Sequence, residues 1–228
     1  MAVLTKKDTA GGAEFAKDFH FPASKKALII FTRNPELGKC KTRLAATIGD
    51  EKALKIYNFL LAHTVAITKP VSADKFVFYS EQIWKDDCWD SEIFRKKLQE
   101  GTDLGERMQN AFSEIFTMGY EQAIIIGSDM YDIDSTHLEK AFTALKMHDF
   151  VIGPATDGGY YLLGMRHVKP ELFSNKQWGT NSVLDSTLTD LKNESLYKLP
   201  LRNDVDIYED IKDNPVFQQL LNQTEQTI

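Results

Sequence analysis

Ala27-Leu-Ile-Ile-Phe-Thr32 runs directly into Arg33-Asn-Pro-Glu-Leu-Gly38 and then into Lys39-Cys-Lys-Thr-Arg-Leu44. The opening run is apolar and rich in β-formers, and reads as a strand. Pro35 and Gly38 end it in a turn, and Lys41 to Leu44 lead into a helical pattern. Strand, tight loop and helix in that order are the start of a parallel α/β unit. The loop also carries four cations (Arg33, Lys39, Lys41, Arg43) against one acid, Glu36, in a chain whose net charge is −6. Free backbone N–H groups, a helix dipole and concentrated positive charge at a strand end are what a phosphorylated ligand requires. The cluster predicts a nucleotide site.

The alternation continues along the chain. Residues 50–68 place Ala53, Leu54, Ile56, Tyr57, Leu60, Leu61, Val65 and Ile67 on a helical stripe, and Lys75–Tyr79 reads as a second strand. A variable stretch with Trp84 and Trp89 follows. A helix fits 104–118, opened by Asp103 and Glu106 at capping-box spacing. Ala123-Ile-Ile-Ile-Gly127 has the continuous aliphatic character of a central parallel strand. A helix over about 135–147, strands at 150–153 and 160–164, a helix near 180–193, a strand around 196–201 and a polar helical tail complete the pattern. These units predict an α/β fold, a three-layer α/β/α sandwich on a mostly parallel sheet. Residues 25–213 read as a single domain, with a charged extension at 1–24 and a helical tail at 214–228. No internal repeat interrupts them.

Composition narrows the function. With 228 residues and 43% apolar side chains, the chain can bury a sizeable core. The acidic balance argues against general nucleic-acid binding, which leaves a broad basic footprint. No apolar run has the length of a membrane span. Cys40 and Cys88 are far apart in no ligand spacing, which suggests a reducing, cytoplasmic setting. The sequence assigns no oligomeric state.

Several acids could carry chemistry. Asp129 follows the best strand, where open α/β sheets bind ligands, and a carboxylate there can hold Mg²⁺ or Mn²⁺ or merely cap the next turn. Asp132 and Asp134 lie close behind, the first reading as a turn residue and the second as a helix cap. In Asp204-Val-Asp206, Asp206 and Glu209 match a capping box, so a cap competes with a metal role. Gly153-Pro-Ala-Thr-Asp-Gly-Gly-Tyr-Tyr161 mounts Asp157 on a glycine turn, as a general base for an acceptor hydroxyl or as a solvated hairpin residue. Gly38-Lys-Cys-Lys-Thr42 lacks the leading glycine and the Lys-Ser/Thr step of a P-loop. The five histidines show no ligand spacing.

Read in order, Phe31 to Leu44, Asp103-Leu-Gly-Glu-Arg-Met108, Ile126-Gly-Ser-Asp129, Gly153 to Gly164, and Asp204-Val-Asp206 with Glu209-Asp210 resemble the DUF2064 family. That family is a bacterial, glycosyltransferase-like group within the nucleotide-diphospho-sugar transferase (GT-A) superfamily, and the resemblance spans about residues 27–213. It implies that Arg33, Lys39, Lys41 and Arg43, on the loop turned by Gly38, hold nucleotide phosphates. It makes Asp129 the metal-binding acid, with Asp206 or Asp204 near the metal from the opposite side. Gln99 and Gly105 correspond to base-holding positions. The chain departs from the family at Tyr131, where proline is usual, and at Ile207, where threonine is usual.

The expected function is a metal-dependent transferase that uses Mg²⁺ or Mn²⁺ and a nucleotide-diphospho-sugar donor. A small-molecule acceptor would sit on the Gly158, Gly159, Tyr160 turn, with Asp157 as base. One alternative is a nucleotidyltransferase that consumes a nucleoside triphosphate and releases pyrophosphate. The other is a non-catalytic nucleotide-binding protein. All three require the cationic loop and Asp129 to face one cleft.

Overall fold

The computed structural model describes residues 22–222, so residues 1–21 of the expected extension and 223–228 of the expected tail lie outside it. Seven strands form one sheet: β1 (Lys26–Thr32), β2 (Asp74–Tyr79), β3 (Phe94–Leu98), β4 (Gln122–Gly127), β5 (Phe150–Pro154), β6 (Tyr160–Met165) and β7 (Leu196–Lys198). Their order is β3-β2-β1-β4-β6-β5-β7. β6 runs antiparallel to β4 and β5, and the other pairings are parallel.

Six helices accompany the sheet: α1 (Thr42–Ile48), α2 (Asp50–Thr68), α3 (Leu104–Thr117), α4 (Ser135–Ala144), α5 (Val183–Asp190) and α6 (Pro215–Asn222). Period-2 side-chain alternation divides the core. Leu28, Ile30, Ile124 and Ile126 face Tyr57 and Leu61 of α2 and Leu138 and Phe142 of α4. Ala27, Ile29, Ala123 and Ile125 face Met108, Phe112 and Ile115 of α3 on the other side. The result is the expected three-layer sandwich.

The differences from the sequence reading have local causes. β3 was hidden in the variable stretch because Phe-Arg-Lys-Lys-Leu lacks an apolar pattern. It is an edge strand, where charge is common, and Lys96 is buried there against Asp87 at 2.8 Å. Gly49 at φ 86° separates α1 from α2. The helix expected to 147 ends at Ala144, the one near 180–193 covers Val183–Asp190, and β7 stops at Lys198 ahead of Pro200. No helix among the described residues is long and apolar enough to cross a membrane.

The chain leaves β1 for β2 on one side and later returns to β4 on the other. The carboxyl ends of β1 and β4 therefore flank a topological switch point, where adjacent connections depart in opposite directions and leave a crevice. The loop 33–41 and residues 128–134 both open into it.

Candidate functional site

The cationic loop is anchored before it reaches any ligand. Asn34 is buried and exchanges hydrogen bonds with the backbone of Gln82, donating to its carbonyl at 2.9 Å. The Tyr57 hydroxyl, rising from α2, accepts the Arg33 N–H at 3.0 Å and lies 3.2 Å from Ser128 Oγ. Ser128 Oγ in turn donates to Thr32 Oγ1 at 3.1 Å. This hydroxyl network ties the loop after β1 to the loop after β4.

Lys41 closes the loop at the N-terminus of α1. Its backbone sits at φ 50°, ψ 43°, in the left-handed region, which costs a non-glycine residue of order 1 kcal/mol. Its ammonium donates to Asp129 Oδ2 at 2.9 Å; the lysine side chain is 6% exposed and the aspartate 37%. Burial alone would lower the Lys41 pKa. The charge and hydrogen bond of Asp129, backed by Asp206 and Asp204, outweigh it and hold the ammonium above the ordinary lysine range. The loop and the mid-chain aspartate thus meet in one cleft.

Arg43, exposed on the first turn of α1, donates to Asp206 Oδ2 at 2.5 Å. Asp206 is not the expected helix cap. Asp210 takes that part, accepting the N–H groups of Asp206 and Ile207 at 2.8 Å each, which leaves the Asp206 carboxylate for Arg43. Asp204 is brought in by an antiparallel bridge to Met130, with Val205 N–H on the Asp129 carbonyl. Burial pushes the Asp204 carboxyl up to about 6, helped by the neighbouring Asp129 and Asp157 charges and opposed by Lys41.

Two cavities share this cleft. The larger, about 810 Å³, is lined by Arg33, Lys41, Arg43, Gln99, Arg107 and Asp206 among others. The smaller, about 270 Å³, lies beyond Asp129 and contains Asp157, Gly159, Tyr160, Trp178 and Asp204. Phe31, Leu104, Gly127 and Asp129 border both. A Cβ on Gly127 would stand 2.6 Å from Asp129 Oδ1, so glycine is what lets that carboxylate lie across the dividing wall.

Some expected site residues do not reach the cavities. Lys39 is folded back onto Glu36 at 2.6 Å by the turn that its own N–H closes on the Glu36 carbonyl. Gly38, at φ 73°, serves that turn and lines neither cavity. Gly105 also lines neither cavity: a Cβ there would meet the Phe173 carbonyl at 2.4 Å and the Trp178 ring at 2.6 Å, so it is a packing glycine. Gly158 (φ 88°) is pressed by the Asn181 backbone and holds α5 by accepting the Leu184 N–H, while Gly159 and Tyr160 line the smaller cavity. Gln99 does line the larger one, and its amide donates to the Phe78 and Thr32 carbonyls at 2.9 and 3.3 Å.

Other residues at the site carried no sequence assignment. Arg107 lies inside a quoted motif yet had no role; its Nε donates to the Gly101 carbonyl while the side chain lines the larger cavity. Trp178 stood in a polar, glycine-containing segment, a signal for an exposed aromatic with a purpose. Tyr131 is explained by packing, its ring lying 4.9 Å from Phe217 of α6, 5.0 Å from His63 and 5.8 Å from Phe59.

The donor set suits a hard divalent ion in kind, because Asp129, Asp204 and Asp206 offer oxygen alone. Charge suits it too: Asp157 adds a fourth carboxylate to these acids, and Lys41 and Arg43 are the cations that act on them. Among the described residues, however, no group of three or more His, Cys, Asp or Glu is arranged to hold a metal. Any ion would depend on ligand oxygens to complete its shell.

A family described as an uncharacterized protein conserved in bacteria (DUF2064) matches residues 63–180. A crystal structure from Desulfovibrio desulfuricans G20, provisionally described as a nucleotide-diphospho-sugar transferase, is 30% identical. The alignment covers 87% of this chain and 94% of that one, with a TM-score of 0.77. A cytidylyltransferase from Leptospira borgpetersenii aligns over 88% of this chain and 98% of its own at 16% identity and TM-score 0.52. The 4-diphosphocytidyl-2C-methyl-D-erythritol synthase of Anaerococcus prevotii aligns over 86% and 97% at 11% identity and TM-score 0.52. At those identities the likeness is of fold. No relative matches among curated proteins.

Proposed function

The chain belongs to the DUF2064 family, and from that premise we propose that it is a metal-dependent transferase that moves a sugar from a nucleotide-diphospho-sugar to a small-molecule acceptor. The observation that carries this reading is the Lys41–Asp129 contact at 2.9 Å, which joins the cationic loop and the strand-end acid in one cleft. The larger cavity takes the nucleotide, with Arg33, Lys41 and Arg43 along the diphosphate and Gln99 and Arg107 toward the base.

In the transfer, the acceptor oxygen bonds to the anomeric carbon as that carbon's bond to the diphosphate oxygen breaks. The electron pair leaves with the nucleoside diphosphate. Lys41, Arg43 and Arg33 offset the charge that grows there, which is where fixed cations gain most rate. Asp157 takes the acceptor's proton; one of its oxygens already accepts the Gly159 N–H at 2.8 Å, which fixes its direction. Mg²⁺ or Mn²⁺, held by Asp129 with Asp206 or Asp204, would supply further charge neutralisation on the diphosphate.

A thermal-shift screen of nucleoside diphosphates, triphosphates and nucleotide-sugars, with and without Mg²⁺ or Mn²⁺, tests the reading. Stabilisation by a nucleotide-sugar that grows with the cation is expected, and Asp129→Ala should remove the cation's increment and turnover while leaving a cooperative melt. Pyrophosphate release from a triphosphate, with no nucleoside diphosphate from any nucleotide-sugar, would replace glycosyl with nucleotidyl transfer. Stabilisation without turnover of any donor would point to a nucleotide sensor.

A further inference from the structure

The smaller cavity lies across Asp129 from the cationic loop, and its walls are chiefly apolar and aromatic: Phe31, Leu104, Met108, Ile125, Trp178 and Val183. The charged side chains that line it are Asp129, Asp157 and Asp204, with no Lys, Arg or His among the lining residues. Lys41 and Arg43 lie outside the lining, Lys41 engaged by Asp129 and Arg43 by Asp206. Among the described residues the Tyr160 hydroxyl has one hydrogen-bond partner, Met108 Sδ at 3.8 Å. A thioether is a weak acceptor, so this O–H is available to a ligand.

We infer that the acceptor in this cavity is a compact, ring-bodied alcohol carrying no phosphate or other anionic group. The assignment rests on the transferase reading above and extends it to the class of second substrate. A volume of about 270 Å³ is near the lower end for ligand pockets, about 300–1,000 Å³, and suits one ring. Trp178 gives that ring a flat apolar face to lie against. Tyr160 O–H donates to a ring or hydroxyl oxygen, and the carboxylates accept hydroxyl protons, Asp157 among them. A phosphorylated ring meets the opposite field. Its dianion would stand against Asp157 and Asp204, with Asp129 already engaged by Lys41 and no cation in the lining, and like charges brought together in a cleft are a strong device for rejecting a wrong partner.

The test uses the full chain with Mg²⁺ and whichever nucleoside diphosphate stabilises it most. Methyl β-D-glucopyranoside and its 6-phosphate are titrated by calorimetry. The neutral glycoside should bind and its 6-phosphate should bind at least about 100-fold more weakly, the scale expected of like charges in a partly desolvated cleft. Thr180→Lys places a cation at the exposed rim of the cavity. It should recover at least about tenfold of the 6-phosphate's affinity and leave nucleotide affinity unchanged. Equal or tighter binding of the 6-phosphate to the wild-type chain overturns the assignment, as does failure of the neutral glycoside to bind. A chain that binds no nucleotide overturns the transferase reading and this assignment together, whereas the two preceding results overturn this assignment alone.

Discussion

Replacing Lys41 with methionine strikes the cleft where its two halves meet. The substitution keeps the bulk of the side chain and deletes an ammonium that is 6% exposed and 2.9 Å from Asp129 Oδ2. Attraction at that distance, with an effective dielectric near 20, is of order 6 kcal/mol. Desolvation of the ammonium takes back much of it, and Asp129, at 37% exposure, regains water once the partner is gone. The folded state should therefore lose about 1–2 kcal/mol, short of the roughly 3–5 kcal/mol for stranding a fully buried charge. In a chain of this size the melting temperature falls by roughly 2–8 °C.

The loss to a bound nucleotide is larger. Its diphosphate forfeits a charge-assisted hydrogen bond and now confronts Asp129 and Asp204 directly, worth about 2–3 kcal/mol, or roughly 30- to 150-fold in Kd. Calorimetric titration of a nucleoside diphosphate reads the affinity, and thermal denaturation reads the stability. Asp129→Asn closes a double-mutant cycle. The double variant should be more stable than Lys41→Met alone, with a coupling of at least about 1 kcal/mol, because no carboxylate is left stranded. Lys41→Arg should retain most of the affinity. Wild-type nucleotide affinity in Lys41→Met, or stability effects that simply add, would refute the shared cleft.

Asp204→Asn should alter stability in a pH-dependent way. With its folded value raised from 3.8 to about 6, the native state holds this proton more tightly than the unfolded chain. That contribution is complete below about pH 4 and is lost as the pH rises through 6. Discounted for a partly exposed group, the asparagine variant should gain about 1 kcal/mol on the wild type between pH 4 and pH 7, as urea denaturation at the two pH values would show. Gly105→Ala forces a methyl group to within 2.4 Å of the Phe173 carbonyl and 2.6 Å of the Trp178 ring. It should destabilise by about 2 kcal/mol and shift the tryptophan emission, and an unchanged spectrum would remove the packing role.

What the sequence made legible follows the range over which each signal acts. Ala27–Ile30 and Ala123–Ile126 declared themselves because every residue in a central parallel strand is buried, so the run alone is diagnostic. β3 did not, because Lys96 is neutralised by Asp87 nine residues earlier, a pairing that no local window reveals. The loop's positive charge was visible as composition, but its direction was not. Lys41 turns inward through a left-handed backbone, whereas Lys39 folds back on Glu36. Gly105 carried only a base-holding place implied by resemblance, and its packing role was invisible because the surface that requires it arrives with Trp178, far along the chain. Tyr57 was counted as one more apolar position on a helical stripe, and the pattern could not show its hydroxyl joining two loops. The competing cap role of Asp206 could not be settled locally, because Asp210, four residues on, accepts the N–H groups of Asp206 and Ile207 and leaves that carboxylate free of the cap.

On the transferase reading proposed above, nucleotide and cation should bind as linked partners, for reasons of charge. Lys41 and Arg43 are already engaged by Asp129 and Asp206, so a diphosphate reaching the larger cavity competes with those carboxylates for the same cations. Each cation drawn toward a phosphate leaves an acid less compensated, beside Asp204, which burial and its neighbours already push up to about 6. The carboxylates so released, with the phosphate oxygens, would be able to hold a divalent ion, whose charge would relieve both effects. Nucleotide therefore raises cation affinity and cation raises nucleotide affinity by one common factor. The described side chains form no complete metal cluster, and a shell finished by the ligand is consistent with that.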